Sequence, residues 1–225
     1  PCAFMDGFEP EKKFSSIDQY GRYAYHMQPK IAHWNLAQLA ISLAPLLGDD
    51  EEAAVEMVKG ALDAYPDAFA DAWLAEMRRK LGLTVEGEGD RMLAEDLFAR
   101  MAGAKADFTL TFRGLADAAA GDDGPLSAQL GDGAGEWLAA WRHRIEGEGA
   151  APASRAGALR RANPLYIPRN HLVEAAIAAA YGEDFAPFHA LVDVLATPFD
   201  EQDGKALYAA PPKADEVVAA TFCGT

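Results

Sequence analysis

From Ile31 onward the apolar residues return at helical intervals. Leu36, Leu39, Leu43 and Leu46 recur every three or four positions until Gly48-Asp49-Asp50 stops the run, a spacing that predicts a buried helix. Asp50, Glu51 and Glu52 then place negative charge in the first turn of a second helix, where the positive end of the dipole favours it, with Val55, Val58 and Leu62 facing inward. Pro66 marks its limit. Phe69, Trp73 and Met77 carry a third helix to Gly82, and beyond Gly87-Glu88-Gly89 the carboxylate of Asp90 is placed to cap a fourth, built on Leu93, Leu97 and Met101.

The stretch Ala106–Phe112 alternates Phe and Leu with Thr as a strand would, yet Phe108, Phe112 and Leu115 also share a helical face. A helix is the better reading, because a lone strand needs a partner and no second alternating run exists. Gly121-Asp122-Asp123-Gly124-Pro125 reads as a loop, Gly131-Asp132-Gly133-Ala134-Gly135 as a helix start, and Trp137, Leu138, Trp141 and Ile145 as one face of a further helix. The run from Gly147 to Pro152 is the best linker candidate. Downstream, Leu172, Val173, Ile177, Phe185, Phe188, Val192 and Leu195 are too few for a separate core, so they are expected to pack back onto the first part. The fold class expected is all-α: an irregular stretch over residues 1–30, then a helical body over 31–225, one domain overall.

Half of the 225 residues are apolar and 24% are charged, ordinary values for a folded domain. The formal charge of −15 disfavours nucleic acid, since affinity for a phosphate backbone depends on Lys and Arg to neutralise it. Acidic residues or Gly interrupt every apolar run before it reaches the roughly 18 residues a membrane span needs, so no membrane partner is expected.

Candidate chemistry is sparse. The five histidines stand at no metal-ligand spacing, and neither a Walker loop nor a Gly-x-Ser-x-Gly elbow occurs. The basic clusters, Arg142-His143-Arg144 with Arg155, Arg160, Arg161 and Arg169, could meet a nucleotide phosphate, but they are better read as ion-pair partners for the abundant Asp and Glu. Only two cysteines exist, Cys2 and Cys223, and composition alone favours free thiols. Asp18, Arg22 and Tyr23 lie in a Gly-punctuated segment, where a charged pair could hold the loop. A non-enzymatic alternative is a helical interaction module that exposes Trp137 and Trp141 as a partner groove.

The opening thirty-odd residues, dense in aromatics, Gly and Pro, carry a resemblance. Pro1-Cys2-Ala3-Phe4-Met5-Asp6, Ser16-Ile17-Asp18, Gly21-Arg22-Tyr23-Ala24-Tyr25, Gln28-Pro29 and Trp34-Asn35-Leu36 resemble the segment after the Asp-Tyr-Gly triplet of the selenoprotein O family. Asn163-Pro164-Leu165-Tyr166 with Arg169-Asn170, then Pro198-Phe199-Asp200, Pro211-Pro212 and Cys223 continue it in order. Members are protein-kinase-like pseudokinases that transfer AMP from ATP, with Mg or Mn, to Ser, Thr or Tyr hydroxyls of proteins.

The resemblance implies that the nucleotide lobe, the catalytic Asp-Asn pair and the metal-binding Asp all precede Pro1. This chain would then be the activation segment, helical C-lobe and redox tail of a longer, bacterial-type cytoplasmic protein, partnered by its own N-terminal lobe. Alone it is expected to bind neither ATP nor metal and not to catalyse. The resemblance further implies an activation-segment role for Asp18, Arg22, Tyr23 and Gln28. Structural roles are implied for Asn163, Pro164, Tyr166, Arg169 and Asn170, with Trp34 as core and Asn35 binding loop backbone. Last, it implies a redox disulfide between Cys2 and Cys223, tying the tail to the activation segment.

Overall fold

The computed structural model describes residues 4–48 and 50–222, and among these the regular structure is helical, with a single isolated antiparallel bridge between Gly7 and Asp107. In chain order the helices are α1 (Gln28–Leu43), α2 (Glu51–Asp63), α3 (Tyr65–Leu81), α4 (Asp90–Ala104), α5 (Phe108–Ala120), α6 (Gly124–Leu130), α7 (Ala134–Ile145), α8 (Pro152–Ala162), α9 (Asn170–Tyr181), α10 (Ala186–Leu195) and the short α11 (Ala206–Ala209). The ambiguous Ala106–Phe112 stretch is helical from Phe108. Asp107 sits at the N-cap and accepts from the Leu110 N–H at 2.8 Å, and this start fixes a 3.6 period in which Phe112, Leu115 and Ala116 face inward.

The core lies where α5 packs on α6 and α8 and where α4 meets α7. Leu97, Met101, Phe112, Leu115, Leu126, Leu159, Trp137 and Trp141 are buried there. Each indole also finds an acceptor, Trp137 at the Leu93 carbonyl (3.1 Å) and Trp141 at the Leu81 carbonyl (2.9 Å), which removes the cost of burying a donor. Burial of both rings rules out the exposed tryptophan groove of the interaction-module alternative. The α5–α6 crossing is close because Gly114 has no side chain; a Cβ there would lie 3.1 Å from the Leu126 nitrogen.

Two expectations fail at the edges. The helix at α1 forms, but it contributes no buried residue: Leu36, Leu39 and Leu43 are each more than 40% exposed, as is Val55 on α2. Periodicity reports which residues share a face, not what covers it, and no described element packs over this one. Asp90 begins α4, but Gly89 is the N-cap, and the Asp90 carboxylate turns inward to meet two arginines. Residues 152–162 pack inward as α8 against α5, whereas α9 and α10, which hold the 170–195 residues expected to join that core, pair chiefly with each other; they bury Leu191 and Val194 and leave Phe185, Phe188 and Val192 half exposed. Among the described residues no helix is long and apolar enough to cross a membrane.

Candidate functional site

The N-terminal stretch from Phe4 to Met27 is irregular because its sequence offers no period, yet it is held at many points. Phe8 donates its N–H to Ala106 and Phe108 donates to Asp6, both at 2.8 Å, so this strand-like piece lies along the α4–α5 turn. The Phe8 ring enters a cluster with Tyr25, Phe98 and Phe108, whose centroids lie 5.1 to 5.9 Å from it. At the far end the tail returns: Ser16 donates to the Thr221 carbonyl at 2.7 Å, and the Thr221 hydroxyl donates to Phe14 at 3.0 Å.

Arg169 is the anchor beneath this stretch. Fully buried just before α9, it donates to Asp6, to both oxygens of Asp107 (2.7 and 3.3 Å) and to the Ala209 carbonyl (3.1 Å). Its neighbour Asn170 donates to the Phe4 carbonyl at 3.1 Å. Asn163 is equally buried and makes a reciprocal pair with Lys80, accepting from the ammonium and donating to the Lys80 carbonyl, both at 2.9 Å. Arg113 donates to the carbonyls of Asn163 (3.2 Å) and Phe199 (3.0 Å), and the Tyr166 hydroxyl accepts from Gln202 at 3.2 Å. The 163–170 motif therefore ties α5, the 198–202 turn and the N-terminal stretch together.

A second charged knot gathers around Asp90 and Glu148, beside the C-terminal turn of α3. The Asp90 carboxylate receives Arg78 at 2.7 Å, Arg144 at 2.6 Å and the Gly87 N–H at 2.8 Å. Glu148, in the presumed linker, takes Arg144 at 2.7 Å, Arg155 at 2.9 Å and Thr84. Burial alone would raise both carboxyl pKa values, but these donors outweigh it and hold Asp90 and Glu148 below the usual range. The Gly147–Pro152 run is thus pinned rather than free.

The motif residues are placed unevenly. Asp18 does close the loop, but onto backbone: its two oxygens accept from the N–H groups of Arg22 (2.8 Å) and Tyr23 (2.9 Å), not from the Arg22 guanidinium. That guanidinium lies 4.3 Å above the Trp34 ring. Trp34 is not core; it is 48% exposed on α1, and its neighbour Asn35 is also exposed and makes no hydrogen bond to loop backbone among the described residues. Gln28 opens α1, and Pro164 lines the same cleft as Gln28. Cys2 and Cys223 lie outside the described residues. The basic clusters are spent on ion pairs: Arg142 with Asp123, Arg144 with Asp90, Arg155 with Glu148 and Arg160 with Asp117.

Sequence reasoning assigned no role to Asp6, Asp107, Lys80 or Glu148. Their partners lie 62 to 163 residues away for the Arg169 pairs and 83 away for Lys80, separations at which no local pattern signals contact. Among the described residues no three His, Cys, Asp or Glu side chains stand together, and Asp6 and Asp107 are both taken by Arg169.

This ordered platform, with its N-terminal stretch anchored by Asp6–Arg169, matches the model of one family, described as protein adenylyltransferase SelO, over residues 1–196. The chain belongs to that family. It is 53% identical over 229 aligned residues to a protein nucleotidyltransferase YdiU of Bradyrhizobium sp. (strain BTAi1), 48% to that of Agrobacterium fabrum and 47% to that of Rhizobium etli (strain CIAT 652). Each comparison covers all of this chain but only 46 to 47% of the relative, so the chain spans about half the length of the curated relatives it matches.

Proposed function

We propose that this chain is the C-terminal, kinase-like helical part of a SelO-family protein adenylyltransferase. The whole protein would move AMP from ATP, with Mg or Mn, to Ser, Thr or Tyr hydroxyls of proteins: the hydroxyl oxygen bonds to the α-phosphorus and pyrophosphate leaves. The observation that carries the reading is an alignment running through the entire chain to protein nucleotidyltransferases at 47 to 53% identity. The metal and nucleotide ligands would belong to the half of those relatives that this chain does not span, and the described residues here would serve as platform and activation segment.

The redox part of the reading rests on the same end of the molecule. The Ser16–Thr221 pairing brings the tail against the N-terminal stretch, two residues before Cys223, and a bond from Cys223 to Cys2 would pin the segment that must move when a protein substrate enters. Activity is tested in a chimera that joins the unmatched half of the Bradyrhizobium relative to this chain. It should label protein from ATP carrying the label on the α-phosphate, while this chain alone should neither label protein nor bind ATP. A chimera that folds and binds ATP but transfers no AMP rejects the proposal.

A further inference from the structure

A cleft of about 430 Å³ opens between the N-terminal stretch and the helices α3 and α5. Its walls are largely apolar and rich in rings: Phe4, Met5, Phe14, Phe108, Phe112 and Ile167. Among its lining residues are four polar side chains, Lys80, Tyr25, Gln28 and Thr109, whose hydrogen-bonding capacity the described residues leave unfilled. The Lys80 ammonium has three donors but, among the described residues, a single acceptor, Asn163 Oδ1 at 2.9 Å; its other close neighbour is the face of Phe112, 4.6 Å from the ring centroid. The hydroxyls of Tyr25 and Thr109 and the amide of Gln28 have no hydrogen-bond partner among the described residues.

We propose that this cleft is a binding site for an aromatic carboxylate, its ring among the phenylalanines and its carboxylate on Lys80. Apolar walls with a few convergent polar groups are the usual form of a small-molecule site. One cation opens here, because Arg113 and Arg169 are committed to Asn163, Phe199, Asp6 and Asp107, so the head group that matches is a single negative charge. Gln28, Thr109 and Tyr25 can donate to the remaining carboxylate lone pairs. Lys80 is preorganised by its reciprocal pair with Asn163, so little freedom is lost on binding.

The proton on Lys80 gives the site its pH signature. Burial pushes the amine down to about 8, with Glu76 on the same helix partly offsetting and Arg79 adding to the effect. From the other elements, Tyr25 lines the same cleft and Arg113 shares Asn163. The ammonium form is therefore held below about pH 8, and a carboxylate ligand should bind best between its own pKa and that value.

The test is calorimetric titration of this chain with 3-phenylpropionate and with its neutral amide. The acid should bind at least tenfold more tightly than the amide, and its affinity should fall about tenfold per pH unit above pH 8. Lys80→Met should abolish binding and also lower the melting temperature, because the buried Asn163 Oδ1 loses its donor, and Thr109→Val should weaken binding about threefold. Equal affinity for acid and amide, a flat pH profile, no binding of either, or full affinity in a folded Lys80→Met variant each overturns the site. If Lys80→Met does not fold, the acid–amide pair and the wild-type pH series decide alone.

Discussion

Arg169 and Asp107 share one buried ion pair that also starts a helix: Asp107 Oδ1 accepts from the Leu110 N–H as the N-cap of α5 while Oδ1 and Oδ2 receive the Arg169 guanidinium. Asp6 completes the set from the N-terminal stretch, so one guanidinium couples the helix start to the segment above it.

Removing the arginine should therefore cost more than any single contact suggests. Arg169→Met leaves the Asp107 carboxylate buried with its cap bond but no counter-charge, a situation that typically costs roughly 3–5 kcal/mol. Asp107→Asn should cost less, because Asn still caps the helix while the guanidinium keeps Asp6. Urea unfolding of the two variants checks the order, and an Arg169→Met variant within 1 kcal/mol of the parent, roughly, would remove the anchor role.

Acid should weaken the second knot. Asp90 and Glu148 have folded-state pKa values below their unfolded ones, so each contributes stability that is fully present above the unfolded pKa and is lost as pH falls through the folded one. The urea midpoint should stay level near neutrality and decline once pH drops below the model-compound range of about 4 to 4.5. In a Glu148→Gln variant the decline should be shallower, since one of the two linked carboxylates no longer titrates. An unchanged acid limb in that variant contradicts the assignment.

Much of this architecture is legible in the chain, and the exceptions have physical causes. The periodic runs mark the interior helices well, because burial of Leu97, Met101, Trp137 and Trp141 is what created the pattern. The same pattern at Leu36, Leu39 and Leu43 misleads about burial, since an apolar stripe looks alike whether a neighbour covers it or not. Asp90 misleads in another way: its position after two glycines fits a cap, but two arginines distant in sequence compete for the carboxylate and win. The motif around Arg169 is readable as a motif, whereas its partners Asp6 and Asp107 become visible only in three dimensions.

Glycine at position 82 should resist replacement for two separable reasons. It closes α3 in the left-handed region at φ 68°, and an added Cβ would stand 2.9 Å from Leu159 Cγ in the core. Gly82→Ala should combine left-handed strain of about 1–2 kcal/mol with the further 1–3 kcal/mol, roughly, of an overpacked contact. Gly89, at φ 92° with open space around it, supplies the control: Gly89→Ala should lose only the strain. Equal thermal shifts in the two variants would mean that Leu159 yields without cost.

The thiols give a prediction that needs no activity assay. If Cys2 and Cys223 bond, the oxidised chain is lighter by two hydrogens than the reduced one, and neither thiol takes up an alkylating reagent before reduction. Oxidation should also protect the tail around Thr221 from proteolysis beyond what its hydrogen bonds to Ser16 achieve. Both thiols alkylated without reductant, in protein prepared under air, would remove redox gating from the proposed function.

The face of α1 that carries Leu36, Leu39 and Leu43 has no cover among the described residues. Leu36, Leu39 and Leu43 line a groove of about 490 Å³ with Met57 and Leu62 of α2, its walls apolar apart from Tyr65, and this chain aligns with less than half of each relative. On the proposed reading, the other half packs here. Leu39→Gln should then shift the stability of this chain alone by no more than about 0.5 kcal/mol, since a half-exposed side chain has little burial to lose. In the chimera the same change should behave as a core truncation costing roughly 2–5 kcal/mol, seen as a lower melting temperature and reduced AMP transfer. Equal, small effects in both contexts would show that the other half lies elsewhere, while leaving the transferase assignment itself intact.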